Sequence, residues 1–177
     1  MGVAIDGVLA AGNLPTWVIP GATLPASIDA ETPTIPLAAI TGQTTVKADC
    51  YSDFGDVSLT RTATTRDRQR MCQKVRETIK TGETIELSLA FVYDQQATAA
   101  AEVNRVYAAL PEGATVGVFR AYGWDTDETP TAATKGDLIV GTVQFVTKNE
   151  PANADEDLKA TATISGSAYY ADVTLTA

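Results

Sequence analysis

Any chemistry in this chain would fall to few residues: acidic clusters DTDE at 125–128 and NADED at 153–157, Cys50 and Cys72, and a cationic run, RTATTRDRQRMCQKVRETIK at 61–80. No histidine is present to assist them. That removes the commonest general base and metal ligand, and with them every Ser-His-Asp or Cys-His arrangement. The acidic clusters fall short of calcium loops. Counted from Asp125, the sixth position is Pro130 where glycine is needed, and the twelfth is Gly136 where a bidentate glutamate belongs; counted from Asn153, the same positions hold Leu158 and Ile164. Paired carboxylates can serve glycoside hydrolysis, but these acids sit among Thr, Ala and Pro with no aromatic-lined subsite. No G-x-S-x-G, Walker A or G-x-G-x-x-G motif occurs. The expectation is a chain with no catalytic, cofactor-binding or metal-ligating residue, and no enzyme. Two cysteines are too few for a zinc site or a disulfide framework, and two buried free thiols are expected, with one bridge as the alternative.

The cationic run carries seven of the thirteen Lys and Arg in a protein whose net charge is -9. Residues 1–60 sum to -5, 61–120 to +2 and 121–177 to -6. Such a field repels phosphate at long range, so a nucleic-acid contact would have to be local. Aromatic side chains for base stacking are missing between Phe54 and Phe91. In an extended segment Arg66, Arg68, Arg70, Lys74, Arg76 and Lys80 share one parity, and Met71, Val75 and Ile79 the other. Extended structure is favoured over a helix, with Thr81-Gly82-Glu83 as a hairpin-like exit. The cations either pair with acidic loops such as 153–157, within the fold or across a subunit boundary, or form a solvated face. Arg66, Arg68, Arg70, Lys74 and Arg76 are the candidate inter-subunit contact.

The elements that must position these residues are mostly strands. Hydrophobic residues make up 45% and charged residues 20% of 177, which suits one folded domain. Residues 1–45 hold five of the eight prolines and read as an extended arm, with Trp17, Val18 and Ile19 apolar enough to dock on their own domain or on a neighbour. Residues 46–177 form a single β-rich domain. Strands are expected at 46–51, 57–62, 83–93, 114–124 and 138–148, and at 158–165 and 168–176 as a C-terminal hairpin turning at Ser165-Gly166-Ser167. One helix is expected over about 95–110, capped by Asp94 and stopped by Pro111 and Gly113, with Ala99, Val103, Val106, Tyr107 and Leu110 as its apolar stripe. No Lys or Arg precedes Lys47 and no apolar run approaches the roughly 20 residues of a membrane span, so a soluble, intracellularly made chain is expected.

Several strands set small neutral residues opposite their apolar face: Thr84, Glu86 and Ser88; Thr142 and Gln144; Thr161, Thr163 and Ser165. Threonine suits a solvent-facing strand, and the same face would also suit a wet passage.

The segments YDQQATAAAEVNRVYAALPEGATVGVF, ATKGDLIVGTVQFVTKNEP and DEDLKATATISGSAYY, in that order, resemble the tail tube (major tail) proteins of long-tailed bacteriophages, particularly those of actinobacterial hosts. The likeness runs from about Arg66 to the C-terminus. It implies an antiparallel β-sandwich or barrel-like domain with one flanking helix. Six subunits would form a ring, sheets would join around a lumen, and stacked rings would guide DNA without binding it specifically. Implied partners are further copies of the chain and the tape measure, terminator and distal tail proteins, with no membrane and a place in the virion after assembly in the host cytoplasm. On this likeness the eight residues Thr84, Glu86, Ser88, Thr142, Gln144, Thr161, Thr163 and Ser165 are the candidate lumen face. A tail terminator, a capsid decoration protein or an extracellular adhesin module would share the strand pattern.

Overall fold

The computed structural model describes residues 12–72, 74–151, 153 and 155–177, so residues 1–11 of the expected arm lie outside the described set. The elements run β1 (Thr16–Pro20), β2 (Thr34–Pro36), α1 (Leu37–Thr41), β3 (Val46–Lys47), β4 (Val57–Arg68), β5 (Glu77–Val92), α2 (Arg105–Ala109), β6 (Thr115–Arg120), β7 (Lys135–Asn149) and β8 (Lys159–Thr176). They form one sheet in the order β3-β1-β6-β7-β8-β5-β4. Every pairing is antiparallel except that of β2, which lies parallel to the end of β8. No helix among the described residues is long and apolar enough to cross a membrane.

Period-two alternation places two cores on this sheet. In β5, Ile85, Leu87, Leu89 and Phe91 are all buried, and each such side chain contributes about 1.5–3 kcal/mol of burial. They join Val116 and Val118 of β6, Ala162 and Ile164 of β8, Val106 of α2 and Leu110 just after it. A second cluster unites Trp17 and Ile19 of β1 with Phe119, Leu138, Val173 and Leu175, under Ile35, Ala39 and Ile40 from the β2–α1 segment. Residues 12–45, expected as an extended arm, hold two short strands, a 3₁₀ turn and α1, and both strands pair with the chain's own sheet. Backbone pairing crosses residue 45 without a break, since Trp17 faces Lys47 and Val18 faces Val46.

Several expectations are corrected. The helix over 95–110 shrinks to a 3₁₀ turn at Glu102–Asn104 followed by α2. Buried Asn104 explains this: its side chain accepts from the Asp94 N–H and donates to the carbonyls of Asp94, Ala97 and Thr98, holding that stretch as a loop. Strand 46–51 ends at Lys47 and gives way to a 3₁₀ turn at Asp49–Tyr51. Thr81-Gly82-Glu83 lies inside β5, so the turn falls between Arg68 and Glu77 instead. Both cysteines are exposed free thiols, Cys50 in the 3₁₀ turn and Cys72 in the hairpin turn.

The C-terminal hairpin is instead one unbroken strand, β8, pairing with β7 from Lys135 opposite Thr174 to Asn149 opposite Lys159. Gly166 serves close approach here, not a turn. A Cβ on Gly166 would stand 2.5 Å from Ile85 Cγ2, and one on the facing Gly141 would stand 2.5 Å from the Ser165 carbonyl oxygen. Gly166→Val should therefore destabilise the fold by about 1–3 kcal/mol, a fall in Tm of roughly 2–10 °C. Gly82→Ala, whose Cβ meets only Thr64 at 3.8 Å, should leave Tm nearly unchanged; thermal unfolding followed by circular dichroism compares the two.

Candidate functional site

Cross-strand register collects the small polar side chains on one face of β4, β5, β8 and β7. One row runs Thr60, Glu86, Ser165, Thr142 and, on β6, Thr115. The next runs Ser58, Ser88, Thr163 and Phe145, and a third Ala90, Thr161 and Thr147. Thr62 faces Thr84 beside them. Facing residues share a side of the sheet, so seven of the eight candidate lumen residues stand together. The eighth, Gln144, is the extra residue of a bulge between Val143 and Phe145, and Phe145 takes the place opposite Thr163. Glu86 is the one charged side chain in these rows. Among the described residues no apolar cluster covers this half of the sheet; the β2–α1 segment packs over the other half. Ser58, Thr60, Thr62, Thr115 and Thr147 were missed from sequence, although the alternation of Val57 and Leu59 with Ser58 and Thr60 was a usable signal.

The cationic run forms the outer part of the β4–β5 hairpin. A bulge between Thr64 and Thr65 skips Thr81, after which Thr65 faces Lys80, Arg66 faces Ile79 and Arg68 faces Glu77. The single cationic face expected from parity is divided by this bulge: Arg66 and Arg68 continue the threonine side, and Lys80 stands on the other. Pairs bind the hairpin to itself: Arg68 to Glu77 at 3.3 Å and Arg76 to Asp67 at 3.8 Å, with the Thr78 hydroxyl donating to Asp67 at 2.7 Å. Arg70 and Lys74 lie in the turn with Met71 and Val75, whose side chains are fully and three-quarters exposed. The structure thus brings Arg66, Arg68, Arg70, Lys74 and Arg76 to one hairpin end.

Where the hairpin leaves the core, Arg61 stacks over the Tyr169 ring at 4.0 Å and donates to Glu83, which Lys80 also contacts. The Tyr169 hydroxyl donates to Asp137 at 2.6 Å, and burial followed by that carboxylate pushes its pKa up to about 12. At the other end of β4, Lys159 donates to Asp53 at 2.5 Å and Asp56 at 2.7 Å. These groups open onto a recess shared with Glu150, Asp155, Glu156 and Asp157. Beside it lies a cleft of about 220 Å³ lined by Leu14, Ala48, Cys50, Phe54 and Val57, among others. No group of three or more metal-ligating side chains occurs among the described residues.

A family model described as "Phage tail tube protein" matches residues 3–177. No curated protein matches the chain. Among solved structures, a chain of the anti-feeding prophage (AFP) baseplate, 6-fold symmetrised, is similar with a TM-score of 0.44 and 10% identity, over 96% of this chain and 95% of that chain.

The hydrogen bonds from Arg61 and then Lys80 hold the Glu83 carboxyl down to about 2, against an ordinary 4.5. Its folded value lies below its unfolded one, so ionised Glu83 favours the folded hairpin above about pH 4.5, and that support is lost as pH falls through about 2. An NMR titration of the Glu83 carboxyl should show its midpoint near 2, and Arg61→Ala should raise it toward the ordinary value. A wild-type midpoint at the ordinary value would contradict this assignment.

Proposed function

Because the chain belongs to the phage tail tube protein family, a structural component of the virion tail, we propose that its copies join edge to edge into rings that stack as the tube through which DNA passes. The observation that carries this reading is β4. It is a 12-residue strand at the end of the sheet, exposed or half-buried along its length, with no strand beyond it among the described residues. A long open edge in a lone protein is a template for uncontrolled pairing. A neighbouring copy that pairs with it turns that liability into a closed assembly. Six copies per ring is the number the family resemblance implies.

The threonine face fits the lumen of such a tube. A polyanion must slide through it, and a cationic wall would hold DNA by counterion release. Rows of hydroxyls with Glu86 as their one charge offer hydrogen bonding to water and no such grip. The tape measure, terminator and distal tail proteins are the further partners that the family resemblance implies, and assembly takes place in the host cytoplasm.

Electron microscopy of the purified protein at rising concentration should show rings, then tubes. A species that stays monomeric throughout, even with its tail partners, would count decisively against this reading. The lumen assignment has its own test. Thr84→Lys with Thr163→Lys should leave assembly intact but make tubes retain duplex DNA at about 50 mM salt and release it toward about 200 mM, as followed by co-sedimentation. Lost assembly in that variant would make the face a subunit contact instead.

A further inference from the structure

The hairpin end carries two apolar side chains that the fold leaves bare. Met71 and Val75 are 108% and 76% exposed. Both lie in a segment, 66–77, that holds five cations against two acids. At the other end of β4, Phe54 is 72% exposed and forms part of the cleft that also includes Leu14, Ala48, Cys50 and Val57. At about 220 Å³ that cleft exceeds the ~150 Å³ that accommodates a benzene-sized guest. The adjoining recess holds six acids, Asp53, Asp56, Glu150, Asp155, Glu156 and Asp157, against one cation, Lys159. Each end is thus an apolar centre with a charged border, and the two borders are opposite in sign.

We propose that the hairpin tip of one copy docks on the Phe54 cleft of a second copy, with Met71 and Val75 covering the apolar centre and Arg70 and Lys74 meeting the acidic recess. The two surfaces cannot meet within one protomer. Twelve extended residues of β4 separate them, roughly 40 Å. A contact between opposite ends of the same element is heterologous, and where its rotation does not close into a ring it repeats as a stack. Opposite charge guides the approach and rejects tip-to-tip encounter. This inference rests on the tube reading and names the surfaces that join successive rings.

The two exposed cysteines test it, since Cys50 lines the cleft and Cys72 follows Met71. Cys50→Ser keeps only the tip thiol and Cys72→Ser only the cleft thiol. The variants are assembled separately and as a mixture, checked by electron microscopy, and treated with a short bismaleimide. The mixture should yield linked dimers containing one chain of each kind, with neither variant linking alone. Adding Met71→Ser and Val75→Ser to the tip partner should raise the concentration needed for assembly roughly tenfold or more. Tubes that form without the mixed link, or in which tip thiols link to each other, would overturn this contact and leave the tube reading standing. Failure of any assembly would overturn both.

Discussion

An 18-residue strand that pairs with β7 along one side, β5 along the other and β2 at its end is the constraint on which this fold depends. β8 belongs to both cores: Ala162 and Ile164 face one, and Val173 and Leu175 the other. Its continuity is secured where Gly166 meets Gly141 and Ile85 with no room for a side chain. Ser167, skipped in the pairing beside them, hydrogen-bonds the Val140 carbonyl at 3.1 Å. The strand therefore changes which face it buries partway along without leaving the sheet. The covered half of the sheet and the bare threonine half are two consequences of that change.

The two candidate surfaces differ in what maintains them. The threonine face is a by-product of alternation: once Leu87, Leu89, Ala162 and Ile164 are committed to the core, their sequence neighbours must stand on the other side. The hairpin has little core beneath it and is held by backbone pairing and by short-range ion pairs. Exposed pairs such as Arg68–Glu77 contribute at most about 1 kcal/mol each. Their larger effect is to fix which cations remain directed outward. A rigid face and a lightly held projection are different instruments, and the fold separates them along one strand.

Much of this was legible in the residues. The alternation in ETIELSLAFVY gave β5 and its core side, and the run at 61–80 was read as extended, as observed in β4 and β5. What escaped had non-local causes. Gly166 reads as a turn until Ile85 and Gly141 are known to press against it. Six alanines read as a helix until Asn104 is seen to hold the carbonyls of Ala97 and Thr98. The proline-rich N-terminal segment marked Trp17, Val18 and Ile19 as apolar enough to dock, but not that they would form a strand of the sheet between β3 and β6. The neutral rows were half visible: each strand declared its own face, but only register shows that Thr60, Glu86, Ser165 and Thr142 stand in line.

The bulge at Thr64 and Thr65 sets a rule for how such a hairpin can change length. Side chains beyond it keep their sides only while the count on each arm is preserved modulo two, because one added residue turns every later side chain over. A single insertion outside the bulge would move Arg66 and Arg68 to the opposite side of the ribbon. Matched insertions on both arms, two residues at a time, would preserve the pattern and advance the tip by about 7 Å. The projection can therefore be resized only in discrete strides, and the spacing between stacked copies would inherit the same increments.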